Sequence, residues 1–151
     1  MEVCSLEKHW CLKMKAKAVC VMRTDLRNSD GHKVPKGKLI AQGGHAFVGL
    51  LTKKMKCDNY EGYRYLHVYQ GSETPLQAWL NGEFTKIVLA VDSEEQLLDI
   101  YEKAKAAYLN TVLIKDAGHT EFAEPTITCI GIGPDWEEDI DKITGHLKGF
   151  S

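Results

Sequence analysis

Residues 17 to 23 read KAVCVMR, a run in which apolar side chains occupy both sets of alternating positions. A strand with one face in water alternates apolar and polar residues, whereas a strand covered on both faces is apolar throughout. The run therefore predicts a central β-strand over Lys17–Arg23. Protein should pack against both of its faces.

Strand and helix patterns follow one another along the rest of the chain. Three more runs of high β-propensity predict strands over Lys86–Val91, Thr111–Lys115 and Thr126–Ile132. Helices are predicted from Gly37 and Lys38 onward, over Ser72–Leu80, after a Ser93/Gln96 capping box, and from Pro134 with Asp135 as N-cap. Only ten residues separate the third and fourth strands, fewer than a parallel crossover takes, so that pair should be antiparallel. The pattern predicts an α/β domain with a mixed four-stranded sheet.

The glycines of the first predicted helix and the apolar face of the third lead to further expectations. Gly43 and Gly44 each cost a helix about 1 kcal/mol relative to alanine, which predicts close backbone packing or the approach of a ligand. The third helix should keep one apolar face, made of Leu97, Tyr101, Ala104 and Tyr108.

Size and composition restrict the class of protein. The chain has 151 residues, 44% of them hydrophobic and 26% charged, which is typical of one globular domain. No stretch reaches the roughly 18 consecutive apolar residues of a membrane-spanning helix. The N-terminus has no apolar run of secretory length. We therefore expect a soluble cytoplasmic protein without a membrane partner.

The formal charge of −2 is unevenly distributed. Residues 1–60 carry 12 Lys and Arg against 5 Asp and Glu, or +7, while residues 61–151 carry 7 against 16, or −9. The basic half contains two lysine clusters: Lys33, Lys36 and Lys38, then Lys53, Lys54 and Lys56. These clusters fit phosphate contacts of a polyanion, and a solvated basic face is the alternative.

Common catalytic motifs do not fit the chain. Gly31, Gly37 and Lys38 approach a P-loop, but five residues rather than four separate the glycines, and Leu39 replaces the hydroxyl residue that would hold magnesium. No zinc or serine-hydrolase motif is present. The five cysteines include no C-x-x-C pair, and His9 with Cys11 is weak evidence for a metal. The sequence therefore predicts neither metal nor covalent serine chemistry.

Two charged, glycine-containing loops follow predicted strands and are the best candidates for a site. One runs from Arg23 to Lys38, and the other is DAGHT, Asp116 to Thr120. Open α/β sheets bind ligands beyond the carboxyl ends of their strands. If the first and third strands are parallel, Lys38 and Asp116 should emerge at the same edge.

Five segments along the chain read VMRTDL, GKLIAQGGHA, KIVLAVDSEEQLLDIYEKAKAA, DAGHTEFAEPTITCIGIGP and ITGHLK. Together, and in this order, they resemble the peptidyl-tRNA hydrolase family of the archaeal and eukaryotic type. The resemblance spans about Lys17 to Lys148 and leaves out residues 1–16 and about 53–83. It implies a three-layer α/β/α sandwich whose last strand is antiparallel. We therefore expect an N-terminal extension over residues 1–16 and a single domain over residues 17–151.

The resemblance also implies an activity and a set of site residues. The activity is hydrolysis of the ester that joins a peptide to the 3′ ribose of tRNA, without metal or organic cofactor, and homodimers are common in the family. The motif positions implicated in catalysis hold Lys38, Asp116, Thr120 and Thr128. One departure is Glu124-Pro125-Thr126, where the family usually has Pro-Gly-Thr.

Ester chemistry gives these residues their expected roles. A water must be oriented and deprotonated, and positive charge must meet the oxyanion. Asp116 is the candidate base or water orienter, Lys38 meets the oxyanion or a phosphate, and the two threonines bind water or ribose. Substrate contacts are expected from Gln42, His45, Arg23 and Lys36. The alternative is a non-catalytic tRNA-binding or protein-interaction module on the same fold.

Overall fold

The structure is a computed structural model that describes residues 14–70 and 73–151. The expectations for most of the N-terminal extension, including His9 and Cys11, fall outside these residues. Ser72, where a short helix was expected to begin, also falls outside them. The elements in chain order are β1 (Ala16–Arg23), α1 (Lys36–Thr52), β2 (Lys56–Cys57), β3 (Arg64–Tyr65), α2 (Pro75–Asn81), β4 (Thr85–Val91), α3 (Glu94–Ala106), β5 (Thr111–Asp116), β6 (Thr126–Trp136) and α4 (Glu137–Thr144).

Four strands form the main sheet, in the order β4-β1-β6-β5. β1 is parallel to β4 and antiparallel to β6, and β5 is antiparallel to β6. The sheet is mixed, as predicted. β5 and β6, the third and fourth strands expected from the sequence, are antiparallel, which confirms that prediction as well. Because β1 and β5 both run opposite to β6, they are parallel to each other. Their carboxyl ends therefore lie at the same edge of the sheet.

Helices cover both faces of this sheet, as the doubly apolar β1 requires. One core cluster contains Val19, Val21, Leu97, Ile100 and Ile140 and joins the sheet to α3 and α4. On the opposite face, Cys20, Met22, Ala46 and Cys129 pack together beneath α1, and Ala18, Leu50 and Trp79 join α1 and α2 to the sheet. Each fully buried Val, Leu or Ile contributes about 1.5–3 kcal/mol through the hydrophobic effect. The three-layer α/β/α architecture is confirmed.

The helix α1 starts one residue before the predicted Gly37. Its buried residues recur every three to four positions, at Gln42, Gly43, Ala46 and Leu50. A Cβ added at Gly43 or Gly44 would meet nothing within 4 Å. Close backbone packing therefore does not explain these glycines, and that part of the expectation is wrong.

Ser93 is the N-cap of α3 as predicted, but the Gln96 side chain accepts from the N–H of Asp92 and not of Ser93, and the apolar face is shorter than expected. The Ser93 side chain accepts a hydrogen bond from the backbone N–H of Gln96 at 3.1 Å. Tyr108 lies beyond the end of the helix, has a positive φ of 57° and is 95% exposed. Its assignment to the buried face is wrong.

The last helix begins three residues after the predicted start. β6 continues through Pro134 to Trp136, and Asp135 pairs with Lys17 of β1. Asp135 is therefore not the N-cap, a position held by Trp136 without a side-chain cap. Pairing with the central strand outweighs the local helix-start signal. None of the helices in the described part of the chain has the length and apolar character needed to cross a bilayer.

Candidate active site

Lys38 and Asp116 meet at the edge where β1 and β5 end. Lys38 lies in the first turn of α1, and its Nζ donates to Asp116 Oδ2 at 2.5 Å and to Thr120 Oγ1 at 3.0 Å. The Lys38 and Asp116 side chains are only 17% and 10% exposed, while Thr120 is at the surface. The expectation that the two loops meet at one edge is confirmed. A cation, a carboxylate and a hydroxyl form one cluster there.

Gln42 connects this cluster to the protein interior. It lies one turn after Lys38, and its Nε2 donates to Asp116 Oδ2 at 2.9 Å. Its Oε1 accepts a 2.6 Å hydrogen bond from the Thr128 hydroxyl. Gln42 is 2% exposed and Thr128 0%. The hydroxyl thus fixes the orientation of the amide, and the amide in turn holds one oxygen of Asp116.

A β-bulge in β6 turns Thr128 toward α1. Ile114 of β5 pairs with Cys129, but the next residue, Lys115, pairs with Ile127, so Thr128 is an extra residue in the ladder. Thr128 and Cys129 consequently point to the same helix: the Cys129 Sγ donates to the backbone carbonyl of Gln42 at 3.4 Å. Thr128 is fully buried and its hydroxyl donates to Gln42 inside the protein, while contact of this hydroxyl with water or ribose stays a prediction.

The loop after β5 is anchored tightly on both sides. The N–H of Gly118 donates to Asp116 Oδ1 at 2.9 Å. Gly118 has φ of +80°, and a Cβ there would lie 2.5 Å from the backbone carbon of Glu124, so glycine is required. The backbone N–H of Ser29 donates to the carbonyl of Glu121, which joins this loop to the loop before α1. With Glu124-Pro125 in place, Thr120 still reaches Lys38.

These contacts set the charge of Asp116. Burial raises the pKa of its carboxyl group, but hydrogen bonds from Lys38, Gly118 and Gln42, together with the lysine charge, outweigh that effect. The resulting pKa lies below the ordinary value of 3.8. Asp116 is therefore ionised at neutral pH and is paired with Lys38.

Arg23, His45 and Lys36 lie outside this hydrogen-bonded cluster. The guanidinium of Arg23 binds Asp25 and Glu94, at 2.9 Å and 3.0 Å, and also donates to a backbone carbonyl. Its hydrogen bond to Asp25 chiefly raises the pKa of Arg23, against the opposing effect of burial. His45 is exposed and lines a groove beside Asp116, and Lys36 is exposed at the start of α1.

Phe122 is a site residue that sequence reasoning missed. It is 4% exposed, and the Lys38 Nζ lies 5.6 Å from its ring centroid. An aromatic ring at this distance attracts the ammonium group and limits its contact with water. The only signal in the sequence was an apolar residue two positions after Thr120. In residues 14–70 and 73–151, no group of three or more His, Cys, Asp or Glu is placed to hold a metal ion.

Fold and site define a class of protein: a three-layer α/β domain with a lysine–carboxylate–hydroxyl cluster at the carboxyl edge of its sheet. Such a cluster supplies both positive charge and a hydrogen-bond acceptor to a reacting ester or phosphate. The family model described as Peptidyl-tRNA hydrolase PTH2 matches residues 16–150. The chain belongs to this peptidyl-tRNA hydrolase family. The match includes residues 53–83, which the motifs alone left out.

Curated relatives cover most of the chain. A peptidyl-tRNA hydrolase from Methanocaldococcus jannaschii is 40% identical over 133 residues, which are 87% of this chain and 97% of the relative. One from Sulfurisphaera tokodaii is 41% identical, covering 89% and 98%. A probable peptidyl-tRNA hydrolase 2 from Drosophila melanogaster is 37% identical, covering 87% of this chain and 60% of the fly protein.

A solved structure of a protein of unknown function from Agrobacterium tumefaciens has the same fold. It superposes with a TM-score of 0.51 at 14% identity and covers 91% of this chain and 98% of its own. At that identity, the likeness concerns the fold alone.

Proposed function

We propose that this protein hydrolyses the ester between the peptide and the 3′ ribose of peptidyl-tRNA, and so recycles tRNA from aborted translation. The observation that carries the proposal is the Lys38–Asp116–Thr120 cluster, braced from inside by Gln42 and Thr128, in a member of this family. We further propose that it acts in the cytoplasm, as a homodimer and without a cofactor.

Lys38 is the group that stabilises the oxyanion. When water adds to the ester carbon, negative charge develops on the carbonyl oxygen, and a donor held in place there lowers the barrier. The ammonium group of Lys38 is already oriented by Asp116 and Thr120, so it need not reorganise during the reaction. Removing one such donor typically costs about 10²–10³ in kcat.

Asp116 has one acceptor position left for the reacting water. A carboxylate offers about four such positions. Lys38 and Gln42 occupy both at Oδ2, and the N–H of Gly118 occupies one at Oδ1. The remaining position on Oδ1 binds the water and points it at the ester carbon.

Proton transfer accompanies formation of the new bond. Because the pKa of Asp116 is lowered, its carboxylate is a weak base toward free water. The water becomes far more acidic as its oxygen bonds to the ester carbon, and Oδ1 takes the proton at that point. Asp116 then returns this proton to the 3′ oxygen of the ribose as the old C–O bond breaks.

The remaining residues divide into positioning and binding roles. Thr128 and Gln42 are buried, so they position Asp116 and do not touch the substrate. Exposed Lys36 contacts tRNA phosphate near the start of α1, where the helix dipole also favours an anion. Arg23 does not bind tRNA phosphate, because its guanidinium is already engaged by two carboxylates.

The test is release of tRNA from an N-acetyl-aminoacyl-tRNA, with Lys38→Ala and Asp116→Asn compared with wild type. Lys142→Ala and Asp99→Asn are the matched controls. Both residues form ion pairs on other helices, and their side chains are 66% and 58% exposed. We expect each site variant to lose at least about a hundredfold in kcat and each control to keep wild-type rates. Asp116→Asn should bind tRNA equally well or more tightly, because a negative charge is removed.

The non-catalytic alternative gives a different result in the same experiment. A folded wild-type protein that binds tRNA but releases none from the substrate is a binding module, and that result refutes the proposal. Salt dependence checks the tRNA contact separately. Affinity should fall steeply as salt rises, because lysine–phosphate contacts release counterions.

A further inference from the structure

A groove leads away from Asp116 between α1 and the outer side of β5. It is an open groove with a volume of about 570 Å³, and Gln42 and Asp116 line one end of it. Farther along, it is walled by His45 and Val48 of α1 and by Leu113 and Ile114 of β5. Val48 is 60% exposed, a high value for an apolar residue, so this wall is open to a ligand. The groove is continuous with the proposed active site.

The strand that borders this groove has an open edge. β5 is the end strand of the sheet, with β6 as its neighbour on one side. The N–H of Gly133 donates to the carbonyl of Asn110, so in an antiparallel ladder the backbone groups of Thr111 and Leu113 point away from β6. The Lys53 Nζ donates to the outward carbonyl of Thr111 at 2.6 Å. Leu113 offers the next outward N–H and C=O, in the direction of Asp116.

The two parts of the substrate must leave the reaction centre in different directions. If the ester lies beside the Lys38–Asp116 pair, the tRNA phosphates are drawn to the exposed lysines before and at the start of α1, Lys33 and Lys36. The groove follows α1 the other way, toward its C-terminus at Thr52. Its walls offer apolar side chains and backbone groups, which suit a peptide and not a polyanion.

Resting on the proposed function, we propose that this groove binds the peptide part of peptidyl-tRNA in extended form, as an added strand beside β5. From His45 to Thr52, α1 rises about 10 Å, which is the length of about three extended residues. Backbone pairing with β5 recognises any sequence, because it uses groups that every peptide carries. His45 acts as a wall of the groove and takes no part in proton transfer.

The first test blocks the groove while leaving the reaction centre intact. Val48→Trp fills it, and Val88→Trp is the matched control, since Val88 is a 36% exposed valine on the opposite edge strand, β4. Two substrates share one tRNA: an N-acetyl-aminoacyl ester and an N-acetyl-tripeptidyl ester. We expect Val48→Trp to lower kcat/KM about tenfold for the tripeptidyl ester alone, corresponding to the lost burial of one apolar side chain. Val88→Trp should change neither value.

A second test examines strand pairing itself. Methylating each amide nitrogen of the tripeptide in turn removes one hydrogen-bond donor at a time. We expect one position to reduce kcat/KM in wild type by about three- to tenfold, the typical effect of one hydrogen bond, and to have little effect in Val48→Trp.

The outcomes separate this inference from the proposed function. Equal kcat/KM for both esters in wild type, with no effect of Val48→Trp or of methylation, overturns the groove while hydrolysis stands. An equal loss for both esters in Val48→Trp also overturns it, because the groove would then affect the reaction centre. Hydrolysis of neither ester by wild type refutes the proposed function itself.

Discussion

Replacing Thr128 with valine should separate the positioning of Asp116 from substrate binding. Valine has nearly the same shape as threonine but lacks the hydroxyl that donates to Gln42. The amide oxygen of Gln42 would then be buried without a donor. The amide would also be free to rotate and present its oxygen to the Asp116 carboxylate, which repels it. Asp116 would lose both a hydrogen bond and its fixed orientation.

The burial of this pair sets the size of the effect on stability. Thr128 is 0% exposed and Gln42 2%, so water cannot replace the lost donor. Leaving a buried acceptor unsatisfied costs about 1–3 kcal/mol. For a domain of this size, that corresponds to a fall in Tm of about 2–12 °C. Misplacing a catalytic group by about 1 Å costs about a hundredfold in rate, so we expect kcat to fall about ten- to a hundredfold, with KM nearly unchanged.

Two companion variants separate the lost hydroxyl from the lost stability. Thr128→Ser keeps the donor but removes a buried methyl group, which costs about 1 kcal/mol. Thr128→Ser should therefore be less stable than wild type but have the wild-type kcat. The double variant Gln42→Met/Thr128→Val replaces both polar groups, so its stability should recover toward wild type while its kcat stays low. Urea unfolding and steady-state hydrolysis of N-acetyl-aminoacyl-tRNA measure the two properties.

Either of two results would refute this reasoning. Wild-type kcat in Thr128→Val would mean that Asp116 keeps its geometry without the buried hydroxyl. An equal loss of kcat in Thr128→Ser would mean that packing, and not the hydrogen bond, sets the rate.

Three further changes test other parts of the site. Because the pKa of Asp116 is lowered, its carboxylate stabilises the fold above about pH 4, and this contribution is lost as pH falls through the folded-state pKa. Asp116→Asn should therefore lower the free energy of unfolding, measured in urea, more at pH 7 than at pH 3. Gly118→Ala should drive the added methyl into the backbone of Glu124 and combine a loss of hydrolysis with a lower Tm, and an unchanged rate would contradict the tight anchoring of this loop. Arg23→Met should lower Tm and leave the salt dependence of tRNA affinity unchanged. Lys36→Met should keep the wild-type Tm and reduce the slope of log affinity against log salt by about 1. The reverse pattern would place Arg23 on the tRNA-binding surface.

The main layers of the fold could be predicted because they depend on local patterns. The apolar run of β1 indicated a strand covered on both faces, and helices do cover them. The short connection before β6 indicated an antiparallel pair. Parallel β1 and β5 then bring Lys38 and Asp116 to the same edge of the sheet, as expected for parallel strands, whereas their direct hydrogen bond is seen only in the structure.

What could not be predicted depends on contacts distant in sequence. Pro134 and Asp135 have the composition of a helix start, but pairing with β1 keeps Asp135 in a strand. Strict alternation along β6 would put Thr128 and Cys129 on opposite faces, and the sequence does not say where an extra residue interrupts the ladder. The position of the Gln42 amide between a buried hydroxyl and Asp116 could not be predicted either, because nothing local in the sequence indicates it.

The extra residue in β6 also determines where this chain tolerates a change in length. Deleting Thr128 would restore regular pairing with β5 and leave the sheet intact. It would also remove the hydroxyl that orients Gln42 toward Asp116. A deletion between Cys129 and Ile132, where pairing with both β1 and β5 is regular, would instead move the following side chains to the opposite layer and exchange core for surface. Related chains that lack this one residue should therefore keep the fold but lose the site.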